Sequence, residues 1–283
     1  MEVLRAKSAG FCMGVDLALR RLDKLLAEPG LTGPLYTFGP LIHNPQVITA
    51  YAARGVRQSE DPQAIAPGAV VLIRAHGIPK SIYKDLRARD ITVKDATCPK
   101  VMKAQRLIAE EASKGGTLLL YGEENHPEVR GLLSHAPLGA IVFDSLEELQ
   151  GHPLDPGRNY FLAAQTTQDE DEFGRIRDYV FAKLNMPIPV LQTICDATMM
   201  RQQEAIAIAR SVEYMVVVGG YNSGNTRRLV KVVEAENVPC IQVETPHEMP
   251  LDILREKKRI GLTAGASTPK IIIDAVESML RTL

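Results

Sequence analysis

Apolar residues along the chain fall into short runs that alternate with stretches of helical period. Runs at 3–7, 35–38, 70–74, 91–93, 117–121, 140–143, 160–164, 189–194, 214–218, 240–243 and 259–263 predict strands. Between them, 15–27, 46–54, 101–112 and 199–211 predict helices, and Leu17, Leu19, Leu22, Leu25 and Leu26 line the apolar face of the first. Further helices are expected after Pro79, after His126 (a short one), over 146–149 behind Asp144 or Ser145, from an acidic first turn at 169–172, from the loop at Asn225 to about Ala235, and from Pro269 to Leu280. Asn44 followed by Pro45 is an N-cap and first-turn signature. Strands that are apolar throughout, separated by helices, predict parallel sheets covered on both faces.

The alternation repeats. Cys12, Cys98 and Cys195 each follow a predicted strand and precede a predicted helix, 86 and then 97 residues apart. His43, His126 and Ser223 fall 31, 28 and 28 residues after these cysteines, and His76, Thr166 and Ser267 fall 64, 68 and 72 residues after them. A period near 90 is longer than solenoid repeats and matches one small α/β unit used three times, over 13–97, 98–194 and 195–283. The third unit lacks a closing strand of its own, and the N-terminal strand within 1–12 is expected to complete its sheet. Ligands of parallel sheets bind beyond the carboxyl ends of the strands, where all these loops lie. Three such units with their strand ends facing inward would enclose one central cavity.

Composition narrows the setting. At 283 residues the chain can bury a substantial core, and 33 Lys and Arg against 34 Asp and Glu leave no overall basic field for nucleic acid. No apolar run reaches the roughly 18 residues of a membrane span, and no signal-peptide core is evident, so a soluble cytoplasmic protein is expected. Four cysteines are too few for a disulfide framework in a chain this long, which turns attention to metal binding or catalysis.

A thiolate between a strand end and a helix start is favoured by free N–H groups and the helix dipole. Three of them could bind zinc, or an iron–sulfur cluster with one iron left open. Compact C-x2-C spacing is absent, and ligands some 90 residues apart favour a larger group such as a 4Fe–4S cluster. Cys240 stands outside the pattern and reads as core. His43, His76 and His126, taken singly, read as structural or capping residues. At matched positions beside Ser223, Asn225 and Ser267, they instead suggest a phosphate or diphosphate site built from helix starts, neutral donors and imidazolium. No Walker or GxGxxG pattern is present, so nucleotide binding is not indicated. His135, His152 and His247 receive no role, and the charge runs at 169–172 and 255–259 read as solvated faces. Glu128, two residues after His126, is either a partner of the helix dipole or, if enclosed, a proton donor tuned to neutral pH.

The segments GFCMGVD (10–16), HN (43–44), AHG (75–77), DATCP (95–99), HPEV (126–129), QTT (165–167), the RQ of CDATMMRQ (195–202), NSGN (222–225) and TAGAST (263–268) together resemble the 4-hydroxy-3-methylbut-2-enyl diphosphate reductase family, in collinear order over nearly the whole chain. The resemblance implies a trefoil of three α/β units around one 4Fe–4S cluster held by Cys12, Cys98 and Cys195. It implies that the substrate alcohol binds at the open iron, with its diphosphate among His43, His76, His126, Ser223, Asn225 and Ser267. Glu128 would relay protons, with Thr166 or Thr167 near the hydroxyl. The implied reaction removes that hydroxyl as water, using two electrons and two protons, to give isopentenyl and dimethylallyl diphosphates at the end of the methylerythritol phosphate route. Electrons would come singly from a ferredoxin or flavodoxin. Two stretches depart from the family: Gly224 stands where a Ser is usual, and Met102 and Gln105 stand where Thr and His are common. The rival readings are a three-Cys zinc hydrolase of a phosphorylated metabolite and a non-enzymatic iron–sulfur sensor.

Overall fold

The computed structural model describes residues 1–30 and 33–283. Strand β1 (Glu2–Arg5) and helix α1 (Met13–Leu26) are followed by β2 (Leu35–Phe38), α2 (Pro45–Ala53), β3 (Arg57–Ser59), β4 (Ala69–Ile73), α3 (Lys80–Ala88) and β5 (Ile91–Asp95). Next come α4 (Pro99–Ala112), β6 (Thr117–Tyr121), α5 (Pro127–Leu133), β7 (Ala140–Phe143), α6 (Leu146–Gln150), β8 (Tyr160–Ala164) and α7 (Glu170–Leu184). The last part holds α8 (Asp196–Ala209), β9 (Tyr214–Val218), α9 (Gly224–Glu234), β10 (Cys240–Val243), α10 (Leu251–Arg255), β11 (Arg259–Ala264) and α11 (Lys270–Arg281).

Among the described residues the strands form three small sheets, ordered β3-β2-β4-β5, β7-β6-β8 and β1-β11-β9-β10, with every pairing parallel. β1 pairs with β11 from Glu2 opposite Arg259 to Arg5 opposite Leu262, so the N-terminal strand lies in the sheet of the last strands. By contacts the chain divides into two compact units. One comprises Met1–Asp16, Ile42–Arg54 and Asp196–Leu283, and the other Leu17–Leu41 and Gly55–Cys195. The first holds the sheet of β9 and the second holds the other two sheets.

Successive residues of the central strands point to opposite faces, and each face finds an apolar helix stripe. In β9, Val216 and Val218 pack with Ile273, Val276 and Leu280 of α11, while Met215 and Val217 pack with Ala205, Leu229 and Val233 of α8 and α9. In β6, Leu119 and Tyr121 face Phe173, Ile176 and Val180 of α7, while Leu118 and Leu120 face Ala104, Ile108 and Leu132 of α4 and α5. Burial on both faces explains why these strands read as unbroken apolar runs.

Two expectations need correction. The strand expected over 189–194 is a single bridge, Val190 to Leu162. Pro187 and Pro189 cannot donate to a ladder, and the hydroxyl of Thr193 takes its place, accepting from Ala164 N–H at 2.9 Å and donating to Ala164 O at 2.7 Å. β3 was not foreseen, because its three residues, Arg57, Gln58 and Ser59, carry no apolar signal.

Candidate functional site

Each of the three cysteines that open helices is anchored in the same way. Cys98 N–H donates to Ala75 O at 2.9 Å, Cys195 N–H to Thr166 O at 2.9 Å, and Cys12 N–H to Ala266 O at 3.1 Å. Ala75, Thr166 and Ala266 all stand two residues beyond the strand that ends before them, β4, β8 and β11. The next residues are His76, Thr167 and Ser267, three of the expected binding residues. Cys12, Cys98 and Cys195 immediately precede α1, α4 and α8 and are half-buried, reduced thiols. Cys240 is different. It starts β10, and burial pushes its thiol up to about 11, against the thiolate that metal binding needs.

The central strands end alike too. Gly39, Gly122 and Gly219 follow β2, β6 and β9, and each donates its N–H to the last residue of the neighbouring edge strand: Ser59, Phe143 and Val243, all at 2.8 Å. The helices beyond are capped by Asn44 to Val47 N–H, His126 to Glu128 N–H and Ser223 to Thr226 N–H. The structural equivalents are therefore Asn44, His126 and Ser223, one residue off the alignment of His43 with the other two.

The unit holding Cys98 and Cys195 also gathers His76, His126, Glu128, Thr166 and Thr167. The rings of His76 and His126 meet edge to face, 5.2 Å between centroids. His126 Nδ1 accepts the cap bond from Glu128 N–H at 3.1 Å, which leaves Nε2 as the ring atom able to donate to a ligand. Glu128 is 1 % exposed. Its Oε1 accepts from Thr166 N–H at 2.7 Å and its Oε2 from Thr166 Oγ1 at 2.9 Å. Burial pushes the carboxyl up to about 7, against the two Thr166 bonds, which favour the charged form. Thr167 has a different partner, since its hydroxyl accepts from Gln165 Nε2 at 3.2 Å. Gln105 lies over Gly77: a Cβ on Gly77, at φ +73°, would stand 2.9 Å from Gln105 Nε2. Met102 projects outward, 51 % exposed.

The unit holding Cys12 gathers the rest. Asn225 Oδ1 accepts from Ala266 N–H at 3.0 Å, which leaves its amide N–H groups to donate elsewhere. Ser267 Oγ donates to His43 O at 3.0 Å. Gly224 is the buried first residue of α9 behind the Ser223 cap, and its N–H is one of the helix-start donors without an intrahelical acceptor.

Arg201 and Gln165, quoted above only within the family segments, and Thr193 prove to be positioning residues. Arg201, 3 % exposed, donates from Nη1 to Ala264 O at 2.8 Å, two residues before the carbonyl that holds Cys12. Gln165 ties the loop after β6 to that after β8, accepting from Glu123 N–H at 3.1 Å. Thr193 is the third. A signal for Arg201 existed: Thr198, Arg201, Gln202, Ala205 and Ala209 are the buried stripe of α8, so polar residues occupy positions where the helical period calls for apolar ones.

The protein-family model for the LytB protein matches residues 3–281. A 4-hydroxy-3-methylbut-2-enyl diphosphate reductase of Nitratidesulfovibrio vulgaris is 57% identical over 283 residues, covering all of both chains. One of the same name from Clostridioides difficile is 37% identical over 284 residues, again with full coverage of both. Among solved structures, the E-1-hydroxy-2-methyl-but-2-enyl-4-diphosphate reductase of Plasmodium falciparum superposes with a TM-score of 0.92 at 26% identity, over 98% of this chain and 87% of that one.

Proposed function

Since this chain belongs to the LytB family, we propose that it reduces 4-hydroxy-3-methylbut-2-enyl diphosphate to isopentenyl and dimethylallyl diphosphates, the last step of the methylerythritol phosphate route. One C–O bond breaks and one C–H bond forms, with two electrons and two protons consumed and water released. The reductase names of full-length relatives weigh against a zinc hydrolase.

The donor set fits an iron–sulfur group: three reduced, half-buried cysteines, each opening a helix and each held by its N–H at the same place in its sheet. Soft thiolates suit iron–sulfur chemistry. Cys12, Cys98 and Cys195 would hold one 4Fe–4S cluster. When bound, that group supplies electrons one at a time and a Lewis-acidic iron for the substrate hydroxyl.

The observation that carries the reading is the string Glu128–Thr166–Cys195. Hydroxide leaves poorly, so the departing oxygen needs a proton. A carboxyl near pKa 7 is about half protonated at neutral pH and can donate one. Thr166 Oγ1, bonded to Glu128 Oε2, can accept that proton and pass on its own. The carbonyl of the same Thr166 holds Cys195 N–H, tying the acid to a cluster ligand through one residue. Thr166, rather than Thr167, is therefore the hydroxyl nearer the chemistry.

The diphosphate would take donors from His43, His76, His126 Nε2, Ser223, Asn225 and the start of α9. Ser267 would turn its proton from His43 O to a phosphate oxygen. At Gly224 the backbone N–H stands in for the usual serine hydroxyl, and the absence of a Cβ lets the anion approach it closely.

Iron and sulfide analysis of anaerobically purified protein, with turnover of the hydroxy-diphosphate under dithionite and methyl viologen, tests the proposal. The expected result is four irons and four sulfides per chain, and both isoprenoid diphosphates as products. Zinc in place of iron, or a cluster without turnover, would overturn it.

A further inference from the structure

We propose that the outer face of α4 and the adjoining rim of α3 form the docking surface for an acidic one-electron donor protein, of ferredoxin or flavodoxin class, beside Cys98. This deepens the functional reading and rests on its assignment of Cys98 as a cluster ligand. The reaction takes two electrons from outside the substrate, so two reduced donors must each dock, surrender one electron and leave oxidised.

Charge is unevenly distributed along the chain. Residues 80–106 hold eight Lys and Arg against three Asp, an excess of five positive charges in a chain whose formal net charge is −1. Cys98 lies inside that segment. α4 begins at the next residue, and its exposed positions Pro99, Met102, Lys103 and Arg106 follow one another at helical spacing, forming a single outward stripe. Met102, 51 % exposed, sits one turn from the cysteine and donates its N–H to Cys98 O at 2.9 Å.

The rim from α3 meets α4 at Gln105. Lys80 and Lys84 line a cavity of about 190 Å³ together with Asp95, Thr97 and Gln105, residues that flank Cys98 in sequence or lie two turns along its helix. Lys94 is exposed near the end of the edge strand β5, and Arg21 donates to the backbone carbonyl of Asp95. Among the described residues Lys80, Lys84, Lys94 and Lys103 make no ion pair, while Arg106 shares its charge with Glu110 at 3.7 Å.

An exposed apolar side chain beside the cations Lys103 and Arg106, with Lys80 and Lys84 across the neighbouring cavity, is the form of a transient interface: the charges steer an anionic partner and set its orientation, and the small apolar centre makes contact without holding it. Fast release is what successive single-electron deliveries require. Placing the surface at a ligand cysteine also shortens the path to the metal, which a site for nucleic acid has no reason to do.

The test uses the reconstituted holoenzyme, with Lys80→Gln/Lys84→Gln and Lys103→Gln/Arg106→Gln made separately and combined. The probe is an acidic plant-type ferredoxin, followed by calorimetry and as the reductant in turnover. The combined variant should raise both Kd and KM for ferredoxin by about tenfold or more, and wild-type binding should weaken with salt far more steeply than the variant's. Turnover with methyl viologen, and the KM for the hydroxy-diphosphate, should stay at wild-type values. A ferredoxin Kd within twofold of wild type in the combined variant would overturn the proposal. So would a raised substrate KM with viologen, which would make the patch a guide for diphosphate, or an oligonucleotide that binds the patch while ferredoxin does not. Wild-type protein inactive with viologen would break the functional reading instead, and the calorimetric Kd would still decide the surface.

Discussion

Cys98 follows a true strand, β5, whose five residues pair with β4, whereas Cys195 follows a segment that touches β8 through one bridge at Val190. Both cysteines nevertheless donate their N–H groups to equivalent carbonyls at 2.9 Å. The ladder at one junction and the Thr193 hydroxyl at the other deliver the same anchor. What differs is the residue that supplies the carbonyl. At Cys98 it is Ala75, with no side-chain function, and at Cys195 it is Thr166, whose N–H and hydroxyl grip the buried Glu128. The position that matches them at Cys12 is again an alanine, Ala266. The repeat thus builds three matching thiol positions, and the residue that supplies the carbonyl departs from the pattern at one of them, where it also holds the buried Glu128.

The equality of the thiols can be broken first. Replacing Cys12, Cys98 or Cys195 by Ser should strip most iron and visible absorbance from anaerobically purified protein and abolish turnover, to the same degree for all three. Cys240→Ser should retain both, and a colourless Cys240→Ser protein would refute the assignment of ligands.

The asymmetry is probed next. Glu128→Gln keeps shape and hydrogen-bonding capacity but has no proton to donate, so kcat should fall by roughly 10²–10⁴ with iron content and substrate Kd unchanged. A rate within about threefold of wild type would reduce Glu128 to a helix-end dipole partner.

The same substitution should act on stability in the opposite sense. The folded-state pKa of Glu128, about 7, lies above its ordinary value of 4.5, so the folded chain binds the proton more tightly than the unfolded one. Its contribution is complete below about pH 4.5 and is lost as pH rises through 7. Glu128→Gln removes that loss and should stabilise the protein above pH 7 by up to roughly 3.5 kcal/mol, since each tenfold difference in proton affinity is worth about 1.4 kcal/mol. The gain should vanish near pH 4, and denaturant unfolding at the two pH values would read it. Equal stabilisation at both would point to packing instead.

A further effect concerns how the junctions are closed. Thr193→Val should strand Ala164 N–H and C=O at a cost of roughly 1–3 kcal/mol for each group left without a partner. Thr193→Ser should recover most of it. Urea midpoints that match wild type for Thr193→Val would show that the bridge at Val190 suffices.

Much of this was legible in the sequence. Among the described residues, apolar runs marked ten of the eleven strands, because burial on both faces leaves few polar positions in the central ones, and β3 escaped because an edge of three polar residues carries no such signal. Spacing marked the three cysteines and the loops, since a repeated unit reuses its strand ends. The acidic residue after His126 was visible as well, with two readings open.

Tertiary structure decided what spacing left open. It closed the Cys195 junction through a side-chain hydroxyl, because Pro187 and Pro189 remove ladder donors that the apolar run around them conceals. It gave His126 Nδ1 to the helix cap, and it selected Thr166 over Thr167 as the partner of Glu128. It also raised Glu128 to a pKa near 7, because desolvation depends on everything packed around a carboxyl and on nothing in its own two or three neighbours along the chain. Periodicity and spacing are properties of the chain and survive in its sequence, whereas burial and hydrogen-bond choice exist only once distant segments meet.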